Sequence, residues 1–155
     1  MPVAAIRYFM LKFSRGKLIV FDMEEALSFE GETGPYVQYT HARLASILRK
    51  ASEAGLAASA DVSGGLGGAP EAALARAVVR LPEVVEDAVW AEETHGITAY
   101  ATELATQFHA FYRDARVVDL AEPERSAKRL ALAAATKTTL ANALGLLGIS
   151  APESM

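Results

Sequence analysis

The chain has 155 residues, a net charge of −4, no cysteine and 52% hydrophobic residues. That length houses one domain with a full core, and without thiols there is neither a disulfide framework nor a thiolate metal site. The acidic balance argues against a non-specific nucleic-acid binder, which needs a basic surface to neutralise phosphates, but it leaves room for a local pocket that reads a few unstacked bases.

The N-terminus lacks the charged, apolar and small-residue succession of a secretory signal, and no apolar run is long enough to span a bilayer, so a soluble cytoplasmic domain is expected. Ala4 to Leu11 reads as a short buried helix, with Ile6, Phe9 and Met10 on one face. Ser14 to Lys17 is a turn, and Leu18 to Phe21 is an apolar run too brief to assign. Met23 to Phe29 predicts one or two helical turns. Gly34-Pro35 opens a long amphipathic helix to about Glu53, since a first turn tolerates the missing proline N–H. Its core stripe is Val37, His41, Leu44 and Leu48. At about 100° per residue, Tyr36, Tyr39, Arg43, Ser46 and Lys50 share another arc, polar and aromatic, and Arg49 falls away from it.

Ala57 to Pro70 contains Gly64-Gly65-Leu66-Gly67-Gly68 and reads as a flexible connection. It follows no strand and carries no Gly-Lys-Ser/Thr, so it lacks the marks of a phosphate loop. Three helices complete the expected all-α antiparallel bundle. The first is lined by Leu81, Val84, Val85, Ala88 and Val89. The second is lined by Ile97, Tyr100, Ala101, Leu104, Ala105, Phe108, Phe111 and Tyr112. Pro123 opens the third, lined by Leu130, Ala133, Leu140, Leu144 and Leu147, and Gly148 ends it.

Few residues suggest catalysis. His41, His95 and His109 lie in different predicted elements and share no metal-ligand spacing. The acidic group Glu83, Glu86, Asp87, Glu92 and Glu93 reads as a solvated helix face, negative near its start where the helix dipole favours it. No strand–loop–helix order suits a nucleotide. What remains is recognition of an RNA loop, where aromatic side chains stack on splayed bases and arginine forks read their edges. On the residues alone, core packing is the favoured role of Tyr36, Tyr39 and Tyr112.

Two blocks carry a resemblance. The chain ends Leu146-Leu147-Gly148-Ile149-Ser150-Ala151-Pro152-Glu153-Ser154-Met155. Near its start stand Ala5 to Leu11, Phe21-Asp22 and then Gly31 to Arg43, with Gly34-Pro35-Tyr36 and Gln38-Tyr39-Thr40-His41-Ala42-Arg43. In that order, these blocks resemble class I arginyl-tRNA synthetases, with Ser154 where the family usually has Arg. The resemblance covers nearly the whole chain and weakens between Ser52 and Arg80. It implies residues 1–34 as a remnant linking to a catalytic domain that is absent here, and 35–155 as a helical DALR anticodon-binding domain whose long helix enters from the catalytic module. It implies a pocket for the middle anticodon base, a cytosine, at Arg49, Tyr112 and Met155, with Tyr39 as stacking neighbour. His41 and Arg43 fall to packing or backbone contact, and Tyr36 and Arg43 complete the tRNA-facing set.

The partners so implied are an arginine-accepting tRNA and the synthetase's catalytic domain, with no membrane. Cofactors are none for these residues, and ATP with Mg for the whole enzyme. An apolar patch around Ile6, Phe9 and Phe21, exposed where the catalytic module is missing, would permit dimerisation. The competing expectation is a truncated paralogue: a helical interaction module that does not bind tRNA.

Overall fold

The computed structural model describes residues 2–64 and 66–155; Met1 and Gly65, the latter within the glycine-rich run, lie outside the described residues. Among the described residues seven helices follow one another: α1 (Pro2–Leu11), α2 (Met23–Leu27), α3 (Gly34–Glu53), α4 (Ala69–Val79), α5 (Leu81–Ala91), α6 (His95–Asp114) and α7 (Pro123–Leu146). No strand occurs among the described residues, and Leu18 to Phe21 is an irregular, largely exposed stretch.

The helix starts follow from local chemistry. The Asp22 carboxylate accepts the Glu25 N–H at 3.0 Å and caps α2. The Thr33 hydroxyl accepts the Tyr36 N–H at 3.2 Å and itself donates to the Ser28 carbonyl at 2.6 Å, capping α3 and fixing its approach. Pro35 occupies the first turn of that helix.

The core lies where α3, α6 and α7 meet, with α4 closing it. Val37, Leu44, Leu104, Phe108, Phe111, Leu140 and Leu144 are wholly buried. Each is worth about 1.5–3 kcal/mol relative to solvent. Leu48, expected in the stripe of α3, sits at the core's edge, and Ile47 takes the deeper place. The predicted face of α6 is buried from Ile97 to Phe111, whereas Tyr112 emerges at its end, 37% exposed.

The structure corrects several expectations. A fourth helix, α4, stands between the glycine-rich run and Pro82, where the sequence pattern ends the connection at Pro70 and assigns no element to the residues that follow. Its inward residues are Glu71, Leu74 and Ala77, and the Glu71 carboxylate accepts from Arg129 of α7 at 2.8 and 3.0 Å. Pro82 removes an N–H and crowds the preceding turn, so α4 and α5 are separate helices. The expected connection is also pinned along α7: Ser59 N–H donates to the Ala127 carbonyl at 2.9 Å, and Lys128 Nζ to the Ser63 carbonyl at 2.8 Å. Finally, α5 buries no residue fully; Val84 and Ala88 pack at the core's edge while Val89 and Trp90 face solvent.

Helix α1 crosses α3 at Gly34, where an added Cβ would lie 2.5 Å from the Ala4 carbonyl oxygen, so only glycine permits the approach. Tyr8 enters the main core and its hydroxyl donates to the Thr98 carbonyl at 2.5 Å. Burial raises its pKa above the usual tyrosine range. Phe9, expected on an exposed patch, is instead buried against Phe13, Phe21 and Ala26. Ile6 and Phe21 do remain partly exposed, together with Met10, Leu18, Val20 and Met23.

Candidate nucleic-acid interface

Helix α7 stops at Gly148, whose φ of +66° is a left-handed conformation that costs glycine nothing. The reversal is closed by Ile149 N–H to the Leu144 carbonyl at 2.8 Å and Gly148 N–H to the Gly145 carbonyl at 2.9 Å. The chain then turns back along α3. Gln38 Nε2 donates to the Ser150 carbonyl at 2.8 Å, and His41 Nδ1 meets the Pro152 carbonyl at 2.8 Å. A carbonyl can only accept, so the proton of His41 resides on Nδ1. Glu153 pairs with Lys137 of α7 at 2.7 Å. That hydrogen bond, with lesser help from His41 and Arg49, holds the Glu153 carboxyl below its ordinary range.

This returning segment supplies the second wall of a groove of about 250 Å³. Its first wall is α3, through Tyr39, Ala42, Arg43, Ser46 and Arg49; Glu153, Ser154 and Met155 face them. The α3 residues follow the three- and four-residue spacing of one helix face. Tyr39 is 41% exposed, its ring edge-on to Phe29 with centroids 6.2 Å apart. Met155 is half exposed at the other side. The groove thus offers an aromatic face, an apolar thioether and two guanidinium groups.

Of the residues expected from the sequence, Tyr39, Arg43, Arg49 and Met155 come together here. Arg49, which helical periodicity sets apart from Tyr36 and Arg43, joins them because the groove's far wall extends the site along α3. Tyr112 does not line it. It borders a separate hollow with residues 113–118 and connects to the groove through Arg43, whose guanidinium carbon stands 4.7 Å from the Tyr112 ring centroid. Arg43 is therefore the bridge between the two, beyond the packing role expected of it. Tyr36 lies outside the groove, its ring tilted against His109 at 5.6 Å and its hydroxyl 3.4 Å from that of Thr106. His41 is buried beneath the returning segment, its Nδ1 on the Pro152 carbonyl.

Sequence reasoning assigned no role to Gln38 or Lys137, whose partners lie 112 and 16 residues away. Near the bridge, the Thr40 hydroxyl donates to the Tyr36 carbonyl at 2.9 Å, so it accepts from His109 Nε2 at 3.0 Å. Burial, aided by Arg43, lowers the His109 pKa and favours the neutral ring.

A larger cavity, about 620 Å³, lies elsewhere at the start of α7, lined by Gly64, Gly67, Glu122, Pro123, Glu124, Arg125 and Lys128. It mixes two carboxylates with two cations and has no aromatic wall, which suits a base poorly. Among the described residues no cluster of three or more His, Cys, Asp or Glu could hold a metal, and no helix is long and apolar enough to cross a membrane.

Comparison with known proteins decides the family. The model of the DALR anticodon binding domain matches residues 37–155, which include both walls of the groove. The chain belongs to that family. Among curated relatives, the arginine–tRNA ligase of Pyrococcus furiosus is 44% identical over 160 residues, covering 99% of this chain and 25% of the relative. That of Geobacillus thermodenitrificans is 42% identical over 156 residues, covering 99% and 28%. In the solved arginyl-tRNA synthetase of Thermus thermophilus, a region 42% identical superposes with a TM-score of 0.86, covering 99% of this chain and 26% of that one. The Plasmodium falciparum enzyme gives 0.82 at 30% identity, covering 99% and 27%. The DALR chain thus spans about a quarter of the length of the curated relatives it matches.

Proposed function

We propose that this DALR domain binds the anticodon loop of an arginine-accepting tRNA, holding the unstacked middle base, a cytosine, in the groove between α3 and the C-terminal segment. The observation that carries the reading is the groove itself: Tyr39, Arg43, Arg49 and Met155, drawn from opposite ends of the domain, meet at one concave site. Tyr39 stacks on the base, since its ring is partly free. Arg49 or Arg43 donates to the cytosine O2 and N3 acceptors, and backbone carbonyls of the C-terminal segment accept from its N4 amine. Tyr112, reached through Arg43, serves the neighbouring nucleotide or holds the Arg43 fork in place. Ser154 contributes a small neutral wall where related synthetases usually carry Arg.

The chemistry of arginine attachment, with its ATP, Mg and amino acid, belongs to the catalytic domain of a ligase, not to these 155 residues, and the setting is cytoplasmic. The partly exposed Ile6, Met10, Phe21 and Met23 suit contact with such a domain, residues 1–34 serving as the link to it, or with a second copy in its absence.

The test is a titration at fixed salt against an anticodon stem–loop and a copy with its middle cytosine replaced. Tighter binding to the unaltered loop supports the reading, and equal or absent binding to both refutes it. One observation favours a second reading, a helical interaction module without RNA binding. On α5, Val89 and the 81%-exposed Trp90 stand among Glu83, Glu86 and Asp87, a face suited to a basic protein partner and hostile to phosphate.

A further inference from the structure

Between Gly148 and Glu153, alternate backbone carbonyls are gripped by side chains of two helices. Arg7 of α1 donates to the Gly148 carbonyl, Gln38 of α3 to that of Ser150, and His41 of α3 to that of Pro152. Lys137 of α7 then takes the Glu153 side chain. Past the turn at Gly148, the step from Ser150 to Pro152 is the repeat of an extended chain, whose carbonyls point to one side at every second residue. Here the side chains of helices do the work of a neighbouring strand. Met155 stands two residues beyond the last grip.

The amide of Gln38 is informative. Its Nε2 is spent on Ser150, while its Oε1 is buried and has no hydrogen-bond partner. An orphaned buried acceptor is unfavourable, so an apolar side chain of similar size would serve the core at least as well. What such a side chain could not do is hold the carbonyl of Ser150.

We propose that Gln38 and His41 are positioning residues for base discrimination: they fix the path of the C-terminal segment and thereby the place of Met155 in the groove. This rests on the groove being the site of the middle anticodon base. Neither residue lines the groove, and each acts only through the backbone it holds.

The experiment uses the whole chain with Gln38→Met, His41→Leu and His41→Asn, the last of which keeps a donor near the place of Nδ1. Three quantities are read: the melting temperature, the ratio of affinities for stem–loops with and without the middle cytosine, and the Met155 methyl resonance in the free protein. Gln38→Met should leave the melting temperature nearly unchanged, shift and sharpen the Met155 methyl signal, and lower the affinity ratio by about tenfold, the worth of one well-placed contact. His41→Leu should do the same to the signal and the ratio, and His41→Asn should restore both.

A Met155 resonance identical in the unaltered chain and in Gln38→Met would overturn the proposal, as would an unchanged affinity ratio. Loss of stability without either effect would reduce the two residues to packing. Failure of the underlying function reading appears differently, as an unaltered chain that does not discriminate. The specificity claim then falls with it, and the methyl resonance still decides whether the two residues position Met155.

Discussion

Arg43 bridges the groove and Tyr112, and replacing it by Met separates two roles that otherwise look alike. Methionine keeps an unbranched apolar stem against α3 and removes only the fork. In the free protein the lost interaction is the guanidinium over the Tyr112 ring at 4.7 Å. Since Tyr112 is 37% exposed, the loss should be about 0.5–1 kcal/mol. For a domain of this size that lowers the melting temperature by roughly 1–4 °C. With RNA bound, a hydrogen bond from a charged donor is worth about 1.5–3 kcal/mol, so affinity should fall roughly ten- to hundredfold. The two are read by thermal unfolding and by fluorescence-anisotropy titration of a labelled stem–loop at fixed salt. In a double-mutant cycle with Tyr112→Leu, the coupling in the free protein should be no larger than the cation–π value. If Arg43→Met binds the stem–loop as the unaltered chain does while melting earlier, Arg43 is a packing residue and the groove lacks its assigned centre.

Glu71→Leu should unfold the domain more easily by about 3–5 kcal/mol, because it removes the acceptor of two Arg129 hydrogen bonds and leaves that guanidinium, only 12% exposed in the pair, without its charge partner; a urea midpoint within error of the unaltered chain would refute that. Gly34→Ala should destabilise by more than the ordinary helix propensity of alanine could offset, since its Cβ would meet the Ala4 carbonyl oxygen of α1 at 2.5 Å. The signature to look for is a large fall in melting temperature without loss of helicity at low temperature. His109 has a depressed pKa in the fold, so the unfolded chain binds its proton first as pH falls. Its contribution is complete above the unfolded value of about 6.5 and is lost as pH drops through and below it. Urea midpoints should therefore decline from pH 7.5 to 5, and less so in His109→Gln; equal declines in both would remove His109 as the cause.

Much of this architecture is legible in the sequence because it is locally encoded. The stripe of α6 and the start of α3 at Thr33-Gly34-Pro35 need only periodicity and a cap. Helix α4 is less legible for a physical reason. Six of its eleven residues are alanine or proline, only Leu74 gives it a large apolar anchor, and its decisive contact is an ion pair with Arg129, 58 residues on. Similarly, nothing near Gln38 announces that Ser150 will need its amide. The groove was half legible. Periodicity on α3 groups Tyr39, Arg43 and Ser46 and leaves Arg49 at the edge of that arc; the wall that brings Arg49 into the site comes from more than 100 residues away. Tyr112 shows the converse: the end of an apolar stripe is also where a helix emerges from the core, so a periodic pattern cannot tell a core tyrosine from one at the rim.

Net charge misleads in the same way. The chain is acidic overall, yet its charge is unevenly placed. Glu83, Glu86 and Asp87 stand on α5, which packs on α6, while Arg43 and Arg49 face the groove from α3. The carboxylate nearest to them, Glu153, is neutralised by Lys137 at 2.7 Å. At physiological salt, exposed charges are screened beyond about 8 Å, so a base in the groove responds to the two arginines and not to the sum over the molecule. With only two cations there, few phosphates would be neutralised, so the proposed binding should show a shallow salt dependence. Its affinity would then come from stacking and base-edge contacts, which is the regime in which a single base is discriminated.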